Sequence, residues 1–235
     1  MGLRDALIAP EEVDNMEQDL RRSLLMLKLY DCSTAPSPRR ARMFMAEKGL
    51  DWETVEIDLR SGEQMSPDYR AVNPRATVPA LMTEDGNILT ENLAIAAYVE
   101  ALHPDPPLMG RTALEKARVL EWDFRCTMEG LLAIAEILRN SSPHMKDRAL
   151  PGPRNLEQIS ALADRGRKRL AWFFEDMETH LTATDYVAGD HYTMADITMT
   201  VVFDFSKWVK AQPDGDNAAI HDYMARMRER PSYSL

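Results

Sequence analysis

The sequence has 235 residues, with little cysteine and no long apolar run. Two cysteines, Cys32 and Cys126, are too few for a disulfide framework or a four-thiolate zinc site. We therefore expect a reducing compartment and no metal, with one long-range bridge left open. No stretch approaches the roughly 18 consecutive apolar residues of a membrane span, and the charged first residues lack the apolar core of a signal peptide. We expect a cytoplasmic protein that does not enter a membrane.

The sequence also has fewer basic residues than acidic ones. Lysine and arginine number 28 against 38 aspartates and glutamates, which gives a net charge of −10. This balance argues against a broad nucleic-acid surface, although a local basic cluster still allows a small anionic ligand. The remaining composition, 45% hydrophobic and 28% charged, is that of a globular protein with one large domain or two modest ones.

Periodicity predicts an α/β arrangement in the first part of the chain. Residues 24–31 and 52–58 predict strands, and residues 37–48 predict a helix between them, which together have the size of a βαβ unit. VPALM and ILT flank the turn signal EDGN, so a hairpin is expected next, and a helix begins near Glu91. Three prolines and a final glycine in residues 104–110 predict a linker.

The second part of the chain is predicted to be helical. Side chains at three- and four-residue steps, a spacing more typical of a core than of a pocket, predict helices over 112–139 and 155–182. In the first helix they are Leu114, Ala117, Leu120, Phe124, Met128, Leu131 and Ile134. In YTMADIT, Thr193 and Asp196 have the spacing of a capping box at the start of a core helix, and we expect amides to hold Asp196 in a structural role. The predicted divisions are an N-terminal extension (1–24), an α/β domain (25–103), a linker (104–110) and an all-helical domain (111–235).

The segment CSTAPSPRRAR, residues 32–42, predicts an anion site. Ser37 and Pro38 suit the N-cap and the first position of a helix. Three arginines follow where the positive end of a helix disfavours cations: Arg39, Arg40 and Arg42. We interpret them as ligands of an anion; the alternative is that they point to solvent and pair with surface acids.

The order and spacing of four motifs resemble the cytosolic glutathione S-transferases. The motifs are NPRATVPAL (73–81), ENLAIAAYVE (91–100), PPLMG (106–110) and YVAGDHYTMADIT (186–198), and the resemblance covers roughly residues 25–232. It implies a thioredoxin-like N-terminal domain, a helical C-terminal domain and a homodimer. The nearest subgroup is the atypical fungal and bacterial one, which lacks the usual catalytic Ser, Tyr or Cys.

The resemblance also implies where glutathione binds. The bond before Pro79 is expected to be cis, which lets the Val78 backbone pair with the cysteinyl part of glutathione like an added strand. Glu91 and Asn92 take the places that hold the γ-glutamyl end, with Asn92 replacing a serine, and Gln64 matches a contact to the glycyl end. Without the resemblance, Pro79 would be a proline at a sheet edge, Glu91 an ordinary acid in the first turn of a helix, and Gln64 a glutamine in a surface loop.

The place of the usual catalytic side chain falls on Ala35, which has no polar atom. A free thiol titrates near 8.5, so the site must stabilise the thiolate. We predict that the helix start at Ser37, together with Arg39, does so electrostatically, and that Cys32 is only a small buried side chain. The resemblance also implies that Glu136 or Asn140 holds a water near the sulfur.

The predicted function is a detoxifying glutathione transferase. Glutathione is its co-substrate, and its ionised thiol attacks a small electrophile. The alternative is a non-catalytic binding or protein-interaction module, which the alanine in the catalytic place favours. A glutathione-dependent lyase, isomerase or dehalogenase would use the same site.

Overall fold

The computed structural model describes residues 26–235, and the predicted N-terminal extension lies outside this range. Within it, a four-stranded sheet with three α-helices precedes an entirely helical part. The strands are β1 (Lys28–Asp31), β2 (Glu53–Glu56), β3 (Ala80–Met82) and β4 (Ile88–Thr90). Their order in the sheet is β2-β1-β3-β4; β1 and β2 are parallel, and the other pairs are antiparallel. The predicted thioredoxin-like arrangement is confirmed.

Local sequence explains most of these elements. Helix α1 (Pro36–Glu47) provides the crossover that two parallel neighbours require. The β3–β4 hairpin turns where predicted, and Gly86 in its turn has φ +78°. The sequence analysis missed helix α2 (Pro67–Val72), which is only six residues long and is capped by the Ser66 side chain.

Helix α1 begins two residues earlier than predicted. Its N-cap is Ala35, which is extended and makes no side-chain cap, so the assignment of Ser37 as the cap is wrong. Pro36 takes the first helical position, where the missing N–H of a proline costs no hydrogen bond. Pro38 would satisfy the same preference. The three arginines therefore follow the first turn, where the effect of the helix dipole is weaker. The end of the helix is as predicted, since Gly49 has φ +67°.

Helix α3 (Asn92–Leu102) completes the first part of the molecule. The α-helices of the second part are α4 (Ala113–Arg125), α5 (Leu132–Ser141), α6 (Ser160–Ala183), α7 (Met194–Ser206) and α8 (Ala218–Arg228). A π-helical turn (Cys126–Leu131) joins α4 to α5, so the helix predicted over 112–139 is correct in extent but is interrupted. No helix in the described part of the chain has the length and apolar character needed to cross a membrane.

Helix α7 runs through the core, as predicted. Its first turn contains the capping box of Thr193 and Asp196, and the buried Asp196 carboxyl accepts four hydrogen bonds. The donors are the amides of Val187 and Thr193 and the hydroxyls of Thr193 and Tyr223. Burial nevertheless raises the pKa of Asp196. The predicted structural role of both capping residues is confirmed.

Helix α4 turns most of its predicted apolar stripe outward. The exposed members, counting Met128 just beyond the helix, are Leu114 (64%), Leu120 (46%), Phe124 (60%) and Met128 (37%). The buried side chains of α4 are instead Val119 and the charged Asp123. The prediction that side chains at this spacing belong to the core is therefore wrong for α4, and it holds again in α5, where Ile134 is fully buried.

Candidate functional site

The sheet register brings three chain segments to one edge. Ala80 pairs with Tyr30 of β1 and with Thr90 of β4, so Val78 lies beside the residues that follow both strands. The Val78–Pro79 bond is cis, as the resemblance implies. Among the described residues, neither the N–H nor the C=O of Val78 has a hydrogen-bond partner. Val78 thus offers a backbone edge to which an extended ligand can pair.

Helix α3 begins at this edge with two predicted site residues. Glu91 is exposed and has φ +73°, a strained conformation for a residue with a side chain, and such strain is found most often at ligand sites. Asn92 is buried, and its Nδ2 donates to Ser37 Oγ at 3.0 Å. The Asn92 Oδ1 is also buried but has no partner among residues 26–235. This contact joins the start of α1 to the start of α3.

Gln64 lies in the short 3-10 turn before α2. Its side chain is buried, and its Oε1 has no partner. Helix α2 is tied to the Val78 edge because Tyr69 Oη and Asn73 Nδ2 donate to the Thr77 carbonyl at 2.6 and 2.8 Å. Buried polar atoms without a partner are rare in native proteins, and each needs an explanation. Gln64 and Asn92 contribute two such atoms, both acceptor oxygens, so this edge fits a polar ligand that carries hydrogen-bond donors.

Two prolines reduce the free amides at the start of α1. An ordinary helix leaves its first four N–H groups unpaired, but Pro36 and Pro38 have none, and the Arg39 amide bonds to the N-cap carbonyl. The Ser37 hydroxyl accepts from Asn92, which leaves its own hydrogen for another acceptor. Ser37 therefore presents two donors, its amide and its hydroxyl, at the positive end of the helix.

Ala35 is the N-cap and brings no polar side chain to this position. Its amide donates to the Cys32 carbonyl at 2.8 Å. The Cys32 thiol is buried and lies 3.6 Å from the Thr34 hydroxyl, which agrees with the prediction of a small buried side chain.

The three arginines of α1 all pair with carboxylates of the protein. The nitrogen–oxygen distances are Arg39–Asp204 (2.7 Å), Arg40–Asp123 (2.9 Å) and Arg42–Asp31 (2.5 Å). Arg40 and Arg42 are buried, and Arg39 is largely so. The charges of all three arginines are thus taken up by acids of the protein, which disfavours their predicted role as ligands of an anion. The alternative of solvent-facing arginines paired with surface acids is wrong, because the arginines and their partner acids lie inside the fold.

A cleft of about 90 Å³ borders the start of α1. The loop of residues 33–36 forms one wall, and Val201, Phe205 and Trp208 form the other. The ion pair between Arg39 and Asp204 also lines it. The helix start thus lies between the Val78 edge and this cleft.

Asp204 is a residue of the cleft that the sequence did not predict. Burial alone would raise the pKa of Asp204, but hydrogen bonds from Lys207 and Arg39 outweigh it and hold the pKa below its usual value. The sequence contained a signal: Asp204 is the single acid in the apolar run ITMTVVFDF, where a charge needs a partner.

Glu136 and Asn140, predicted to hold a water near the sulfur, both make structural contacts within the helical part. Asn140 Nδ2 donates to the Glu136 carbonyl at 2.9 Å, and its Oδ1 accepts from the Ile159 amide at 3.0 Å. The Glu136 carboxylate pairs with Arg165 and Arg169 of α6. These contacts fasten α5 to α6 and to the segment before it.

Comparisons with known proteins agree with this geometry. Models of the N-terminal and C-terminal domains of glutathione S-transferases match residues 34–102 and 133–231. Glutathione S-transferase 2 of Saccharomyces cerevisiae is 33% identical over 207 residues, 87% of this chain and 86% of the yeast protein. The crystal structure of Gtt2 from Saccharomyces cerevisiae has a TM-score of 0.81 at 32% identity, covering 88% of this chain and 98% of that one. A Sulfitobacter homologue solved with bound glutathione has a TM-score of 0.73 at 26% identity, covering 89% and 96%.

Fold and site together define a thioredoxin-like domain followed by a helical domain, with a polar edge at a cis-proline. The chain belongs to the glutathione S-transferase family and is an enzyme of that family. The resemblance drawn from the sequence motifs is thereby confirmed at the level of the family.

Proposed function

We propose that the protein binds glutathione along the edge formed by Val78, Glu91 and Asn92, and that the ionised thiol of glutathione attacks an electrophile seated in the adjacent cleft. The observation that carries this proposal is the Ser37–Asn92 hydrogen bond, which places two donors at the start of α1 between the edge and the cleft. The Sulfitobacter homologue binds glutathione, which supports the same ligand here.

The ends of the tripeptide have matching groups. The exposed Glu91 carboxylate suits the ammonium of the γ-glutamyl end, and the buried Asn92 Oδ1 can accept from the same end. The unpaired Val78 backbone suits the cysteinyl amide and carbonyl. Gln64, next to α2, is the proposed contact for the glycyl end.

Ser37 is the proposed activator of the thiol. Its amide and hydroxyl would both donate to the sulfur, and hydrogen bonds of this kind favour the ionised form. This arrangement needs no side chain at Ala35, and on that ground we propose that the protein belongs to the atypical subgroup. We assign the activation to Ser37 rather than to Arg39, whose charge is paired with Asp204. Asn140 is left out of the site because its amide is bonded within the helical part.

The substitution Ser37→Ala tests this assignment. It removes the hydroxyl and keeps the amide, so we expect the thiol pKa of bound glutathione to rise by about one to two units, the equivalent of one hydrogen bond to a charged group. The thiolate absorbance of the complex, followed against pH, measures it. Ser141→Ala is the matched control, since Ser141 bonds only to a carbonyl of its own helix. An unchanged thiol pKa in Ser37→Ala would refute the assignment.

We further propose a homodimer that covers the exposed stripe of α4. Leu114, Leu120 and Phe124 are exposed on one helix, and together they form a larger apolar face than isolated surface side chains do. Contact with a second copy of the chain would remove this face from water.

The substitution Phe124→Glu should weaken this dimer. A charge in the apolar contact costs the desolvation of the carboxylate, so the mass measured by light scattering should fall to that of one chain at micromolar concentration. Leu150→Glu serves as the control, because Leu150 is equally exposed but lies outside α4. A wild-type protein that is already monomeric would contradict the proposal.

A further inference from the structure

The sequence contains two Asp-Gly pairs, Asp85–Gly86 and Asp214–Gly215. The first lies in the turn of the β3–β4 hairpin, and the second lies in the connection between the turn Lys207–Val209 and α8. All four residues are exposed. Such pairs are chemically reactive, because glycine has no Cβ to shield its amide nitrogen from the carboxyl group of the preceding aspartate. Since exposure does not distinguish the two pairs, the hydrogen bonds around each of them decide which one reacts.

The hairpin turn protects its Asp-Gly pair. The Gly86 amide donates to the Thr83 carbonyl at 2.8 Å, and the Asn87 amide donates to Thr83 Oγ1 at 3.1 Å. The Thr83 amide in turn donates to the Asn87 carbonyl at 2.8 Å. A nitrogen that donates a hydrogen bond within such a turn has to give up this bond before it can attack a carbon. The Asp85 side chain therefore faces a nitrogen that is already engaged.

The second pair is open at the same atom. The Gly215 amide has no acceptor among residues 26–235, and a Cβ at Gly215 would meet nothing within 4 Å. The Asp214 carboxylate is folded towards the chain that follows it, because its Oδ1 accepts from the Asp216 amide at 3.1 Å. This Asx turn keeps the Asp214 Cγ on the side of the Gly215 nitrogen. An electrophilic carbon and an unpaired nitrogen thus belong to the same turn.

The connection holds Asp214 in this arrangement. Pro213 is buried, and the Asp214 carbonyl oxygen accepts from the Asn217 amide at 3.3 Å. His221 Nε2 lies 2.8 Å from the same oxygen and donates to it in the tautomer that carries the proton on Nε2. Donors at a carbonyl oxygen stabilise the negative charge that forms there when water attacks the carbonyl carbon. The side-chain carboxyl and the main-chain carbonyl of Asp214 thus both accept hydrogen bonds.

We propose that Asp214, and not Asp85, converts spontaneously to isoaspartate in the folded protein. The Gly215 nitrogen forms a bond to the Cγ of the protonated Asp214 side chain, and the amide hydrogen leaves with the carboxyl OH as water. The product is a succinimide ring. Water then adds to the main-chain carbonyl carbon of Asp214, and the bond from this carbon to the Gly215 nitrogen breaks. The chain now continues through Cγ, the α-carboxyl group is free, and the main chain is longer by one carbon ahead of α8.

Incubation of the folded chain at neutral pH, followed by peptide mapping, measures both sites in one sample. The site does not involve the glutathione edge, so the chain is used without ligand. Trypsin releases the two sites in separate peptides, residues 76–111 and 211–226. Chromatography separates the isoaspartyl from the aspartyl form of each peptide, and enzymatic methylation of isoaspartate identifies it. We expect isoaspartate to form at Asp214 at least about fivefold faster than at Asp85, the factor that corresponds to one hydrogen bond.

Two further samples test whether the fold is the cause. Unfolding in urea breaks the hydrogen bonds of both turns, so Asp85 and Asp214 should then react at similar rates. Gly215→Ala adds a Cβ that meets no other atom within 4 Å but shields the nitrogen, so it should slow the reaction at Asp214 and leave Asp85 unchanged.

Two results would overturn the inference. One is an equal rate at the two sites in the folded chain, or a faster reaction at Asp85. The other is a ratio of rates that persists in urea, because the difference would then come from the neighbouring residues in the sequence and not from the fold.

Discussion

Each of the three arginines near the start of α1 fastens a different part of the molecule. Arg42 binds the end of β1 through Asp31, while Arg40 and Arg39 reach carboxylates in the helical part. Burial raises the pKa of Asp31, although the Arg42 guanidinium opposes that shift. Consecutive cations on one helix point in different directions, because each residue turns the helix by about 100°. The structural role of each arginine depends on the acid with which it pairs, and no local pattern in the sequence predicts which acid that is.

The Arg39–Asp204 pair should make the free energy of unfolding depend on pH in the acid range. The folded pKa of Asp204 lies below its unfolded value, so the pair stabilises the fold above about pH 4 and loses this contribution as the pH falls through the folded pKa. We expect Asp204→Asn to lower the free energy of unfolding by about 1–3 kcal/mol at neutral pH. The difference from wild type should shrink in acid.

Urea unfolding at several pH values measures this difference. Asp222→Asn is the control, since Asp222 is exposed and forms no ion pair within the described residues. A difference between Asp204→Asn and wild type that stays constant from neutral to acid pH would contradict the argument.

At the scale of elements, the sequence predicted whether a segment is a helix or a strand better than it predicted where that helix or strand begins and which side of it is buried. The strands, the hairpin and the capping box were found because each has a local signature in periodicity or turn chemistry. The start of α1 was misplaced because Pro36 and Pro38 both satisfy the preference for proline at the first helical position. The π-helical turn was missed because the three- and four-residue steps between apolar side chains continue across it. The outward face of α4 was missed because periodicity defines a face but not the side that is buried.

The π-helical turn can be tested at Gly130. A Cβ there would lie 2.8 Å from both Cγ atoms of Val202 and 3.2 Å from Phe173, so Gly130→Ala requires a shift of packed core atoms. We expect a loss of about 1–3 kcal/mol in the free energy of unfolding. The double variant Gly130→Ala with Val202→Ala should recover part of it. Gly215→Ala is the control, because a Cβ at Gly215 meets nothing within 4 Å.

At the scale of the whole molecule, a buried polar cluster joins the two parts. Arg40 of α1 donates to Asp123 of α4 and to Thr198 of α7, and Thr198 in turn donates to Asp123. The Asp123 side chain is 1% exposed, and its Oδ2 has no partner in the part of the chain that the structure describes. The motifs predicted both domains and the cis-proline at the Val78 edge from sequence, but this cluster was out of reach because its members lie far apart along the chain.

The last prediction concerns this cluster. Arg40→Met leaves the Asp123 carboxylate buried without its cation, which should lower the free energy of unfolding by about 3–5 kcal/mol. Adding Asp123→Leu removes the stranded charge, so the double variant should regain most of that loss. Lys28→Met is the control, because the Lys28–Glu53 pair is only partly buried and should contribute at most about 1 kcal/mol. Urea unfolding followed by both tryptophan fluorescence and circular dichroism measures all three. If the double variant is no more stable than Arg40→Met, the cluster acts through packing and not through charge.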